Sequence, residues 1–125
     1  NFVETMLRLG RERDVIKVVD DEILTPTYTR DLAEQIAVML AEKPAGILHA
    51  TNVGACSWYD FTQTIFSIAG YTTRLERTSV AAFGSPVRRP AYSVLENAAL
   101  QKLGLDRMRP WQEALRAYMA ERSVK

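Results

Sequence analysis

The sequence has only one cysteine, Cys56, so no internal disulfide can staple it, and this usage fits a reducing, cytoplasmic compartment. No apolar run approaches the ~20 residues that a membrane-spanning helix needs, and no stretch reads as a signal peptide. Excess charge of either sign is also missing. Sixteen basic residues stand against fifteen acidic ones, without a block of like charge, which argues against nucleic acid and against a membrane surface as partners. There is no glycine-rich G-x-G-x-x-G turn and no P-loop. Tyr59 and Tyr71 are not followed by lysine four residues on, and the one histidine, His49, has no nearby cysteine or second histidine to complete a zinc site. No Ser/His/Asp set can be assembled.

What remains is a globular composition. Hydrophobic residues make up 47% of the 125 positions and charged residues 25%, enough for one modest domain with a single core. The chain opens inside a helical pattern, at "NFVETMLRLG", without an initiator methionine. The expectation is a C-terminal part of a longer protein.

Phe2, Val3, Met6 and Leu9 share one side of that first helix, which Gly10 is placed to end. "VIKVVDD" is rich in β-branched residues and reads as a strand. Pro26 breaks the pattern, Thr29 or Asp31 can cap a second helix, and Leu32, Ile36, Met39 and Leu40 give it an apolar face. "GILHATN" is a second strand candidate. Ser57 caps a third helix, with Asp60 at capping-box spacing and Gly70 at its end. "TRLERTS" reads as a short extended segment, and Ala81 to Val94 as a long loop without regular structure. Asn97 can cap a short helix carrying Leu100 and Leu103, and Pro110 sits where a first-turn proline opens a last helix. Helices alternating with short strands point to the α/β class: a small sheet, with exposed edges, among several helices.

Three adjacent carboxylates, Asp20, Asp21 and Glu22, invite a magnesium or calcium site. Neighbours on a strand point to opposite faces, so a solvated strand end is the better reading. His49, between apolar residues, reads as structural, and Cys56 as a passive thiol. Trp58 reads as core before stacking surface. Arg88 and Arg89 are different, because Pro86 and Pro90 flank them in the loop and limit the freedom lost on binding. The planar guanidinium fork suits phosphate or carboxylate, although two solvated arginines fit the same spacing equally well. The "TPTYT" turn adds hydroxyl groups, including Thr27 and Tyr28, that could orient a polar ligand.

Four stretches occur in order: "NFVETMLRLGRERDVIKVVDDEILTPTYTRDLAEQI", "GILHATNVGACSWYDFTQTIFSIAG", "RRPAYSVLEN" and "MRPWQEALRAYM". Together they resemble the C-terminal part of the dTDP-4-dehydrorhamnose reductases, which are extended short-chain dehydrogenase/reductases. The resemblance implies that residues 1–125 are a substrate-binding part. A Rossmann domain that binds NADPH or NADH and carries a Ser/Thr, Tyr and Lys catalytic set would lie outside this chain. It implies hydride delivery to the C4 keto group of dTDP-4-dehydro-L-rhamnose in dTDP-rhamnose biosynthesis, with no catalytic or cofactor-binding residue here. Arg88 and Arg89 would take the diphosphate, with Asn1, Thr27 and Tyr28 as further substrate contacts near the cleft mouth. A homodimer is conceivable on the same ground, and a metal-linked one gains nothing from Arg30. Two alternatives stay open: a non-catalytic relative such as the regulatory subunit of methionine adenosyltransferase, or another sugar-nucleotide epimerase or dehydratase.

Overall fold

The computed structural model describes residues 1–84 and 89–122. In chain order the elements are α1 (Phe2–Glu12), β1 (Val15–Val19), β2 (Ile23–Leu24), α2 (Thr29–Glu42), β3 (Cys56–Ser57), α3 (Trp58–Ala69), β4 (Arg74–Thr78), α4 (Val80–Phe83), α5 (Ala98–Lys102) and α6 (Trp111–Arg122). The α/β class is as expected, but the single core is not. The chain divides into two compact units, Asn1–Leu24 with Cys56–Ser93, and Thr25–Ala55 with Val94–Lys125.

In the first unit β1 and β4 pair in parallel, from Val15 opposite Arg74 to Val19 opposite Thr78. Alternation along β1 buries Ile16 and Val18 and turns Val15 and Lys17 outward. α3 starts where its sequence signals place it. The Ser57 hydroxyl accepts from the Asp60 N–H and the Asp60 carboxylate accepts from the Ser57 N–H, a reciprocal cap. Phe61, Ile65 and Phe66 fill the core from this helix, each contributing roughly 1.5–3 kcal/mol by burial. α1 packs on α3, with the Phe2 ring stacked on Phe61 at a centroid distance of 5.6 Å.

Gly10 does not end α1, which runs on to Glu12. It lies on the buried side of the helix against Tyr71 and Phe66, and a Cβ there would stand 2.6 Å from the Tyr71 ring. The glycine is a packing requirement, not a stop signal. β2 pairs antiparallel with β3 and is bridged in parallel to Tyr92. The Ile23 N–H donates to the Ala91 carbonyl at 2.8 Å and the Ser93 N–H to the Ile23 carbonyl at 2.9 Å. The expected unstructured loop from Ala81 to Val94 is therefore partly regular, holding most of α4 at its start and this bridge near its end. Among the described residues the strands form a small parallel pair, β1 with β4, and a short antiparallel pair, β2 with β3.

In the second unit Trp111, Ala114, Leu115 and Met119 of α6 are buried, together with Leu100 and Met108. Leu103, expected within the same short helix as Leu100, is the C-cap of α5 and is exposed. α2 departs most from its pattern. Its buried residues are Asp31 and Gln35, whereas Ile36 and Leu40 are 42% and 71% exposed. Its inner face meets polar backbone: the Gln35 amide donates to the Leu105 carbonyl at 3.0 Å and accepts from the Arg107 N–H at 2.7 Å. The helix is capped by neither Thr29 nor Asp31, because Tyr28 occupies the N-cap without a side-chain bond.

The expected strand over "GILHATN" does not form among the described residues; Ile47 is 88% exposed, and His49 is exposed and not structural. Asparagine side chains hold the end of this segment instead. Asn97 occupies the N-cap of α5 as expected, but its side chain makes no capping bond; it accepts from the Thr51 N–H at 2.9 Å and donates to the Thr51 carbonyl at 2.8 Å. Asn52 accepts from the Tyr28 N–H at 2.8 Å.

Candidate functional site

The first unit contains a cleft of about 410 Å³. Phe2 and Met6 of α1, Trp58 at the start of α3, and Val80 and Phe83 of α4 give it apolar walls. Lys17 of β1, Glu22 and Arg89 supply its charge. The Phe2 and Trp58 rings stand 4.4 Å apart, tilted by 41°, so two aromatic faces converge. A flat ring or the apolar side of a sugar fits such a wall, while the two cations suit an anion.

Local order explains the placement. The Asn1 side chain accepts from the Glu4 N–H at 3.0 Å and caps α1, which fixes Phe2 in the first turn. The reciprocal cap at Ser57 does the same for Trp58. The bridge between Ile23 and the segment Ala91–Ser93 brings the chain next to Arg89 alongside β2.

The three carboxylates are neither a solvated strand end nor a metal cluster. Asp20 accepts from the Ser57 hydroxyl at 2.7 Å and from Arg77, whose guanidinium also lies 4.0 Å over the Tyr59 ring. Burial pushes the Asp20 carboxyl up, but the Ser57 and Arg77 bonds outweigh it and hold the group below its usual range. Asp21 accepts from the Val80 N–H at 2.9 Å, at the first turn of α4. Glu22 is buried, at 8% exposure, and accepts from the Trp58 indole N–H at 3.0 Å. Among the described residues no group of three or more His, Cys, Asp or Glu is arranged to hold a metal ion. The Cys56 thiol is buried, and burial pushes it up to about 12, which leaves it protonated and unreactive near neutrality, as the passive reading requires.

Of the residues singled out in the sequence, Arg89 lines the cleft, and Asn1 positions Phe2 there. Arg88 lies outside the described residues. Thr27 and Tyr28 belong to the second unit, where they have structural partners. The Thr27 hydroxyl oxygen accepts from the Asn52 N–H at 3.3 Å, and the Tyr28 hydroxyl donates to Glu121. That bond raises the Tyr28 hydroxyl above its ordinary value. Phe2 and Lys17 carry no site signal in the sequence, while Glu22, weighed there as a metal ligand, and Trp58, read there as core before stacking surface, both line the cleft. The signal that was available is the spacing of a carboxylate triplet and an aromatic beside a helix cap, which reads equally as core.

The family described as RmlD substrate binding domain matches residues 1–124. The spore coat polysaccharide biosynthesis protein SpsK of Bacillus subtilis is 46% identical over 123 residues, covering 98% of this chain and 43% of that protein. A dTDP-4-dehydrorhamnose reductase of Streptomyces griseus is 39% identical, covering 92% of this chain and 40% of that protein. The chain thus spans well under half the length of these relatives. The crystal structure of a dTDP-4-dehydrorhamnose reductase from Clostridium acetobutylicum superposes with a TM-score of 0.95 at 41% identity, over 98% of this chain and 44% of that one. A dTDP-4-dehydrorhamnose reductase from Bacillus anthracis, crystallised in complex with NADP, gives 0.93 at 39% identity, over 97% and 43%.

Proposed function

This chain belongs to the RmlD substrate-binding domain family, and from that premise we propose that it is the sugar-nucleotide-binding part of a dTDP-4-dehydrorhamnose reductase. The whole protein is then a cytoplasmic oxidoreductase of dTDP-rhamnose and polysaccharide biosynthesis. It reduces dTDP-4-dehydro-L-rhamnose with NADPH or NADH. The residues present do not fit the dinucleotide itself: the turn into α3 is built on the Ser57 cap and carries no glycine fingerprint for a diphosphate. No redox step is therefore assigned to this chain, whose work is to bind and orient the sugar nucleotide.

The observation that supports this most is the cleft, with aromatic and aliphatic walls on one side and Arg89 and Lys17 as cations. A thymine ring against Phe2 and Trp58 and a diphosphate toward the two cations would satisfy both halves of that lining. A substrate role for Thr27, Tyr28 and Arg88 rests on their side-chain chemistry and on the resemblance. In the intact protein, Arg89→Ala is expected to weaken dTDP-L-rhamnose binding about tenfold in titration calorimetry, the scale of one lost charge-assisted hydrogen bond. An unchanged Kd would return Arg89 to the solvent.

A further inference from the structure

Of the three consecutive carboxylates, Asp20 has both oxygens engaged, by Ser57 and Arg77, and Asp21 is exposed, with Oδ1 accepting from the Val80 N–H. Glu22 differs from both. It is the most buried of the three, and only Oε2 is used, by the Trp58 indole N–H at 3.0 Å. The other oxygen has no hydrogen-bond partner among the described residues, it is not sealed in the core, and Glu22 lines the cleft. A carboxylate oxygen that the described protein groups leave unused is available to accept from whatever occupies the cleft.

We infer that Glu22 is a specificity-determining residue, which accepts a hydrogen bond from an N–H or O–H donor of the bound nucleotide sugar, and that Trp58 is the positioning residue that aims it. This rests on the reading of the cleft as the sugar-nucleotide site. The chemistry selects the donor class. A carboxylate only accepts, so it takes the imide N–H of a thymine ring or a sugar hydroxyl, and it repels phosphate oxygens. The diphosphate is thereby turned toward Arg89 and Lys17, and one anionic and two cationic side chains set the direction in which the ligand lies. The Trp58 indole does two things at once: its face forms the apolar wall and its N–H fixes the carboxylate beside that wall.

Glu22→Gln separates these roles, because an amide has one acceptor oxygen where the carboxylate has two. With the amide oxygen held by the Trp58 N–H, the place of the second carboxylate oxygen is taken by an NH2 group, which donates and cannot accept from the ligand. Calorimetric titration of the intact protein with dTDP, N3-methyl-dTDP and dTDP-L-rhamnose reads the result. The expectation is about a tenfold loss of dTDP-L-rhamnose affinity in Glu22→Gln, with an unchanged melting temperature. Trp58→Phe, which keeps a ring but removes the N–H, is expected to give a smaller loss of about threefold, and to shrink the discrimination between dTDP and its N3-methyl form or between dTDP and the sugar-bearing ligand. A loss already present with dTDP and erased by N3-methylation identifies the base imide as the donor. A loss confined to dTDP-L-rhamnose identifies a sugar hydroxyl. If Glu22→Gln binds all three ligands as the wild type does while Arg89→Ala is impaired, the inference about Glu22 is overturned and the cleft reading survives. If wild-type protein binds neither dTDP nor dTDP-L-rhamnose, both fall. Should Glu22→Gln fail to fold, Trp58→Phe decides alone, and undiminished ligand discrimination in it overturns the inference.

Discussion

Asp31 illustrates how a single side chain is committed by its neighbours. Arg109 grips it with two bonds, Nη2 to Oδ1 at 2.6 Å and Nε to Oδ2 at 2.9 Å, and the Asn52 amide adds a third at 2.9 Å. The Arg109 bonds hold the carboxyl below its usual range against the opposing effect of burial, with Asn52 assisting. A folded-state value below the unfolded one means that the bound form is the charged form. Its stabilisation is complete above the unfolded carboxylate range, near ~4, and fades as pH falls through the folded value. Asp31→Asn is therefore expected to cost about 1–3 kcal/mol at neutral pH, limited by the partial exposure of Arg109. Its cost should shrink as pH falls through the lowered folded-state value, where the wild-type carboxyl also protonates. Urea unfolding of both proteins between pH 2.5 and pH 7 measures this, and a pH-independent difference would remove charge from the explanation. The Asp20 carboxyl, lowered in the same direction, contributes to the same acid limb.

At the scale of elements, the strongest local signals produced the elements they announced. The Ser57 cap with Asp60 and the terminal Gly70 frame α3, and Pro110 stands immediately before α6. Where two physical demands compete, the local signal gave way. Gly10 reads as a helix end, yet it sits within α1 because Tyr71 and Phe66 pack where a side chain would be. Alanine is favoured over glycine in a helix by ~1 kcal/mol, but overpacking here opposes it by ~1–3 kcal/mol, since the buried Phe66 ring has little room to retreat. Gly10→Ala is thus expected to lower the melting temperature by several degrees, about 3–8 °C for each ~1 kcal/mol at this chain length. A raised melting temperature would mean that propensity outweighs packing. α2 carries the same lesson with the sign reversed. Its leucine and isoleucine spacing suggested an inward apolar face, but Gln35 and Asp31 face inward because the groups they meet are the Leu105 carbonyl, the Arg107 N–H and the Arg109 guanidinium.

At the scale of the whole molecule, the chain builds two compact units from interleaved segments, leaving the first after Leu24 and returning to it at Cys56. The described lining of the cleft belongs to the first unit, and the sequence contains neither a G-x-G-x-x-G turn nor a Tyr-x-x-x-Lys pair. The 125-residue chain by itself is accordingly expected to give no NADPH oxidation with dTDP-4-dehydro-L-rhamnose. Spectrophotometric turnover at 340 nm, beside the intact protein as a positive control, checks it, and any rate above background sinks the assignment. The sequence by itself determined the α/β class, α3 with its caps, the β1 strand, the proline-led last helix and Arg89 as an anion-binding candidate. Each of these follows from interactions between residues a few positions apart, or from side-chain chemistry that does not depend on neighbours. Only the tertiary structure decided that Glu22 and Trp58 meet across 36 positions, that Asn52 and Asn97 anchor a segment expected to be a strand, and that Gly10 is packed rather than terminal. Those outcomes depend on which distant backbone groups and rings arrive at a residue's face, and periodicity within a segment carries no record of them.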